Sequence, residues 1–358
     1  MVTWMFAAAL ALSTSTGAPA PVALAEPEMP RPEQVMAVPP ELRAQLQQEV
    51  ISAGSSRTLR LQRLVDFMFQ DSGLGMQYAA DATSTVAQAY QTRKANCLTF
   101  TLMTVALARE AGLEASAQEV EDTLSWREEN GIVYRSSHVN TGITIGHRRL
   151  TVDVAQGSVL TRLPPESVSD RRLLALYYNN RAAELMTSAS PAAAVPYMDM
   201  SLQLDSGYAV SWSNAGVLRL RQGDLPGAER DYLKALALDP VNAGALFNLV
   251  TLYQSRGDEA RSAIFKRRLE KVQLKDPYYQ FMQALDDEKQ GDFARALRHY
   301  ERAIRLYDGE PRFYFGLARA YQQLGDPRRA RRALDRAHGL SPGSIGELDE
   351  MRPLSQRR

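Results

Sequence analysis

The pair Gly-Asp occurs at 223–224, 257–258, 291–292 and 325–326, each 34 residues after the last. A fixed period of this length constrains the chain more than any other feature. A unit of 34 residues holds two short helices and a turn, too little to bury an apolar face by itself. Such units gain a core only by stacking on their neighbours, which gives an extended superhelix. The glycine sits at the turn between the paired helices, and small residues elsewhere let those helices approach closely.

Other positions keep the same period. In the unit starting near Ala209, Trp212, Gly216, Ala228, Tyr232, Ala235 and Pro240 fall at packing positions. Tyr314, Ala318, Tyr321, Ala330, Ala337 and Pro342 do so in the last unit. This pattern resembles the tetratricopeptide repeat (TPR). The unit from Pro277 keeps Ala284, Ala296, Tyr300 and Ala303 but has Asp308 where proline is usual. The unit from Ala243 carries Ser262 and Lys266 at packing positions. An upstream unit from about Ala175 has Ala189-Ser190 in place of Gly-Asp, yet keeps Ala182 and Ala194. Residues 173–344 are thus read as about five repeats, with 345–358 as a tail. The resemblance implies an all-α solenoid whose concave surface holds a protein partner.

A chain of 358 residues has room for more than this array. Its formal net charge of +1 supplies no field for nucleic acid or an anionic membrane. Trp4 to Leu12 is a short apolar run, followed by Ala23-Leu24-Ala25 before Glu26, so residues 1–25 read as a signal peptide. No Lys or Arg precedes the run, which is atypical. Export to the periplasm is the expectation, with no membrane span in the mature chain. Residues 26–40 are rich in proline and short of core-forming residues, so they read as a linker.

Residues 41–167 read as an α+β domain. Helical patterns cover Glu41 to Ile51, Arg57 to Gln70 and about Thr83 to Tyr90. A fourth, from Cys97 to Ala111, is apolar nearly all round and belongs at the centre of a domain. The period then changes. Ala117 to Trp126, Val133 to Ile145 and Leu150 to Val154 carry β-branched and alternating residues, with Asn130-Gly131 and Gly146 as turn signals.

Cys97 is the only cysteine. In an exported chain that suggests a reactive thiol or an intermolecular bridge, against the plainer reading of a small buried hydrophobe. Asn96 is a good N-cap, which would put Cys97 in the first turn of its helix, where the partial positive charge favours thiolate. The segments RKANCLTFTLMTVALAREAGLEA, SSHVN and RRLTVDVAQG resemble the transglutaminase-like superfamily, related at its core to papain-like cysteine enzymes. The resemblance places that family's pattern on Cys97, Arg109, Gly112, His138 and Asp153, and departs from it at Ala95, where relatives often carry glycine. It implies a Cys97 nucleophile, a His138 base and an orienting Asp153, acting on an amide bond through a thioacyl intermediate. His138 and Asp153 share a sheet face in any antiparallel pairing whose opposed residue numbers sum to an odd value. A turn centred on Ile145-Gly146 sets them opposite, and one at His147-Arg148 offsets them by about four residues. The plainer readings are a ring satisfied by backbone for His138 and a surface carboxylate for Asp153.

Gln91, six residues before Cys97, has the spacing of an oxyanion-hole amide in papain-like proteases, a match that coincidence also explains. His147 falls in a turn, and His299 and His338 fall in repeat helices. With one cysteine and no closely spaced His pair, neither zinc nor another cofactor is expected. Arg328, Arg329, Arg331, Arg332 and Arg336 form either a dock for an acidic partner or a solvated helix face. Two functions stay open. One is an exported cysteine enzyme whose repeats recruit a protein or peptide substrate. The other is a non-catalytic interaction scaffold with a relic domain.

Overall fold

A computed structural model describes residues 2–3, 28–53, 56–80, 83–129, 132–153, 166–187 and 191–340. Apart from the backbone of 2–3, the signal-peptide reading of 1–25 lies outside these residues. So do Asn130-Gly131, Ala189-Ser190 and the tail.

Of the residues read as a linker, those from 28 to 40 are described, and they are packed. Strand β1 is Val2–Thr3, and helix α1 (Pro32–Val35) is the first helix of the next described stretch. Val35 and Val38 are buried, and the Tyr178 hydroxyl donates to the Pro30 carbonyl. Prolines fix the turns here, so a few apolar side chains suffice to hold the segment down. Helix α2 (Pro40–Leu46) runs into a π-helical turn, Gln47–Ile51, before α3 (Arg57–Phe69). Leu61, Leu64 and Met68 of α3 point inward at the spacing expected of an amphipathic helix. Strand β2 (Gln77–Tyr78), helix α4 (Val86–Thr92) and strand β3 (Lys94–Ala95) lead to α5 (Cys97–Glu110). Every residue of α5 from Leu98 to Ala108 is buried.

An antiparallel sheet covers α5. Its strands are β4 (Glu114–Glu129), β5 (Ile132–Ile145), β6 (Arg148–Val152) and β7 (Glu166–Ser167). The order is β1-β5-β4-β7, with β6 also paired to β5. Thr141 opposes Val152 and Ile145 opposes Arg148, so the reversal is centred between Gly146 and His147. That register falls between the two considered from the sequence. Gly146 has φ +62°, which a two-residue reversal of this twist requires.

Helix α6 (Asp170–Thr187) and α7 (Ala194–Leu204), entered through the 3-10 turn Pro191–Ala193, form the first helix pair. Four more pairs follow. They are α8 (Ala209–Arg221) with α9 (Leu225–Leu238), α10 (Ala243–Ser255) with α11 (Glu259–Gln273), α12 (Pro277–Lys289) with α13 (Phe293–Leu306), and α14 (Pro311–Gln323) with α15 (Pro327–Leu340). The periodic Gly-Asp does two jobs. Gly223, Gly257, Gly291 and Gly325 have φ between +70° and +81°, which ends each first helix. Asp224, Asp258, Asp292 and Asp326 then accept a backbone N–H three residues on and cap the second. In α11 the packing differs from the pattern: Lys266 is exposed, and Phe265 and Leu269 fill the interior beside buried Ser262.

One apolar core runs from Val35 through the sheet, α5 and α6 to Leu269. The last two helix pairs have their own clusters, around Phe313 and around Tyr300. Among the described residues no helix is long and apolar enough to cross a membrane.

Candidate functional site

The start of α5 is held from three sides. The Asn96 side chain accepts from the Thr99 N–H at 2.9 Å, capping the helix. Parallel pairing of Gln77 with Lys94 and Tyr78 with Ala95 fixes the approach. Arg93 makes the reversal out of α4 at φ +57°, a left-handed conformation costly for a residue with a Cβ. Thr101, one turn beyond Cys97, accepts no slack: its hydroxyl lies 2.8 Å from the Cys97 carbonyl and 3.1 Å from the Val139 carbonyl. Helix and strand are thereby pinned beside each other.

His138, on β5, is 3% exposed. Its Nε2 lies 2.8 and 2.7 Å from the two oxygens of Asp153, one residue past β6. Asp153 falls opposite Asn140 if the β5–β6 register is continued, and Asn140 Nδ2 donates to its Oδ2 at 3.0 Å. His138 and Asn140 are two apart on one strand and share a face. With Nε2 given to the carboxylate, the other ring nitrogen is left for Cys97, with which His138 is also hydrogen-bonded.

The electrostatics follow from that geometry. Burial would push the Cys97 thiol up. The hydrogen bond with His138 is the largest of the influences that outweigh it, with the His138 charge and the Val139 N–H among the rest, and the thiol lies below its ordinary value. Burial would likewise lower His138, but Asp153 and Cys97 raise it to about 9. Each group thus favours the charged form of the other. Cys97 is half-buried. Stacked Phe69 and Phe100, with centroids 5.5 Å apart, lie on one side of the cleft beside it. The space there is only about 10 Å3, room for about one water.

The structure therefore brings Cys97, His138 and Asp153 together. Gln91 is exposed on α4. His147 is exposed in the β5–β6 turn. His299 Nδ1 pairs with Gln280 Oε1 at 2.8 Å, and the His338 ring stands edge-on to Phe315. Arg328, Arg329, Arg331, Arg332 and Arg336 are exposed on α15. Sequence reasoning passed over Asn140 and Thr101. Period-two spacing from His138 and one-turn spacing from Cys97 are the signals that point to them.

Residues 214–271 and 281–345 match the family model described as tetratricopeptide repeat. The C-terminal helices are tetratricopeptide repeats. Among solved structures, the chain is similar to YrrB, described as a TPR protein with an unusual peptide-binding site. That match has 20% identity over 49% of this chain and 91% of the other, with a TM-score of 0.27. It is similar to MamA at 16% identity over 51% and 97%, with a TM-score of 0.28. It is also similar to MamA of Desulfovibrio magneticus RS-1 at 15% identity over 49% and 98%, with a TM-score of 0.27. No curated protein matches the chain.

Proposed function

We propose that the repeats bind a protein or peptide partner and that protein–protein interaction is the chain's primary role. The tetratricopeptide array carries this reading, because stacked helix pairs build an extended concave surface suited to a partner. Asn180, Asn214 and Asn248 recur at 34-residue intervals on the first helices of successive pairs. An amide both donates and accepts, as a peptide bond does. Asn248 Nδ2 is buried with no hydrogen-bond partner among the described residues, so a ligand carbonyl would satisfy it. Peptides selected against the full chain should bind more weakly to Asn248→Ala by anisotropy. Unchanged affinity for every selected peptide would remove this surface from consideration.

A second reading is favoured by one observation, the hydrogen-bonded run from Cys97 through His138 to Asp153. On it, the first domain is a transglutaminase-like cysteine enzyme acting in the periplasm. The Cys97 thiolate adds to the carbonyl carbon of an amide while its proton resides on His138. Collapse of the tetrahedral adduct breaks the C–N bond, and His138 gives that proton to the departing amine. Water, or another amine, then attacks the thioester; His138 takes its proton and Sγ leaves as thiolate. Asp153 keeps the ring oriented and balances its charge throughout. Hydrolysis is the favoured outcome, with the repeats presenting the protein substrate. A thiol-directed probe should label Cys97 faster in the wild type than in His138→Ala. Equal rates would leave the interaction role standing alone.

A further inference from the structure

Helix α6 belongs to the first repeat pair, yet it lies along α5 and is tied to it at both ends. At the far end, Arg109 makes two hydrogen bonds to Asp170, at 2.7 and 2.9 Å, while its Nε donates to the Ala115 carbonyl. At the near end, the carboxylate of Glu184 accepts from both the hydroxyl and the N–H of Thr83. The Thr83 oxygen accepts from Asn96 Nδ2 at 2.7 Å. Asn96 Oδ1 accepts from the Thr99 N–H, and Thr99 Oγ1 accepts from the Ser84 N–H at 2.9 Å. Thr83, Asn96 and Thr99 are all buried.

The direction of these bonds matters. A hydroxyl has one proton, and Glu184 takes it. The oxygen of Thr83 can then only accept from Asn96, which turns the Asn96 amide so that its own oxygen faces the helix start. Arg181, one turn before Glu184, holds the carboxylate from the other side. A buried polar chain in which each member fixes the next is stiffer than its parts.

We propose that Glu184 and Thr83 are positioning residues for Cys97, so that the first repeat helix sets the cap, and thereby the thiol, at the start of α5. This rests on the reading of Cys97 as a nucleophile and extends it: the solenoid becomes part of the site's support as well as a place for a partner. Neither residue touches the thiol. Their effect passes through the Asn96 cap, with the adjoining Ser84–Thr99 bond beside it.

The test is the pH profile of Cys97 alkylation by iodoacetamide in the full chain, with thermal unfolding measured alongside. Cys97 is the only cysteine, so the readout is specific. Thr83→Val should raise the midpoint and slow alkylation at neutral pH about two- to fivefold, the range expected for loosening a group at a helix start. Thr83→Ser, which keeps the hydroxyl, should restore the wild-type profile. Glu184→Gln keeps the shape at a part-exposed position and should shift the midpoint in the same direction. Unshifted midpoints in folded Thr83→Val and Glu184→Gln would overturn the proposal while leaving the nucleophile reading intact. A wild-type thiol with an ordinary midpoint, indifferent to His138→Ala, would remove both.

Discussion

His138 keeps its proton into a pH range in which an ordinary imidazole is neutral, because hydrogen bonds and charge from Asp153 and Cys97 outweigh the lowering that burial imposes. Asp153→Asn should therefore lower the imidazole midpoint, followed by NMR, from about 9 toward its ordinary 6.5. It should also slow Cys97 alkylation near neutrality by about tenfold, the effect of one pKa unit. A stability consequence follows from the same shift. A group raised on folding contributes fully below its unfolded pKa and loses that contribution as pH climbs through the folded one. In a Cys97→Ser background, which removes the thiol's own titration and its share of the rise, urea resistance should be constant below about 6.5 and fall as pH climbs through a folded midpoint that Asp153 still holds above the ordinary value. His138→Ala in that background should flatten the fall. The Tyr232 hydroxyl is buried with no hydrogen-bond partner among the described residues. Tyr232→Phe should raise stability, by up to about 1 kcal/mol, since the stranded group is removed and its shape is kept.

Helices and turns carry a different set of constraints. Gly291 sits at φ +79° with open space around it, so Gly291→Ala meets only the backbone penalty, about 1–2 kcal/mol. Gly316 lies inside α14, where an added Cβ would come 2.3 Å from the Tyr300 ring. Helix propensity favours alanine there, but overpacking costs roughly 1–3 kcal/mol and wins. Thermal melts should show both variants destabilised, Gly316→Ala recovering when Tyr300 is made smaller and Gly291→Ala not. Gly291, the Asp292 that follows it and the alanines against which the helices close were legible from the period, whereas Gly316 lies two residues before the repeat position held by Ala318 and was not. Nor was the packing of α11: Ser262 and Leu269 keep the repeat register, but Phe265 is buried where it pointed to Lys266, since an apolar ring gains from burial what an ammonium loses.

At the scale of the molecule, the continuous core ends at Leu269, with Val272 at its edge, and separate clusters begin at Tyr278. Repeat arrays unfold where interfaces between neighbours are weakest. Hydrogen exchange in mild denaturant should therefore release α12 to α15 before α5 to α10. A chain ending at Lys275 should keep the wild-type alkylation profile of Cys97. Simultaneous loss of both regions would contradict this. The same continuity makes the boundary near residues 167–173 one of sequence pattern rather than of packing, because α6 is buried against both the sheet side and the repeats.

Periodicity and residue type by themselves determined the repeat array, the buried helix behind Cys97 and the strands after it, because helical, extended and 34-residue spacings are local properties of a chain. They also stated the condition under which His138 and Asp153 share one sheet face, an odd sum of opposed residue numbers, which the observed pairing of Ile145 with Arg148 meets. The register that brought the carboxylate to the ring, the Asn140 bond beneath it, the packed segment before α2 and the bridge from Glu184 to Asn96 were decided by tertiary contact. Each joins residues distant in sequence, and no local spacing encodes which of several compatible pairings buries the most surface and leaves the fewest polar groups unmet.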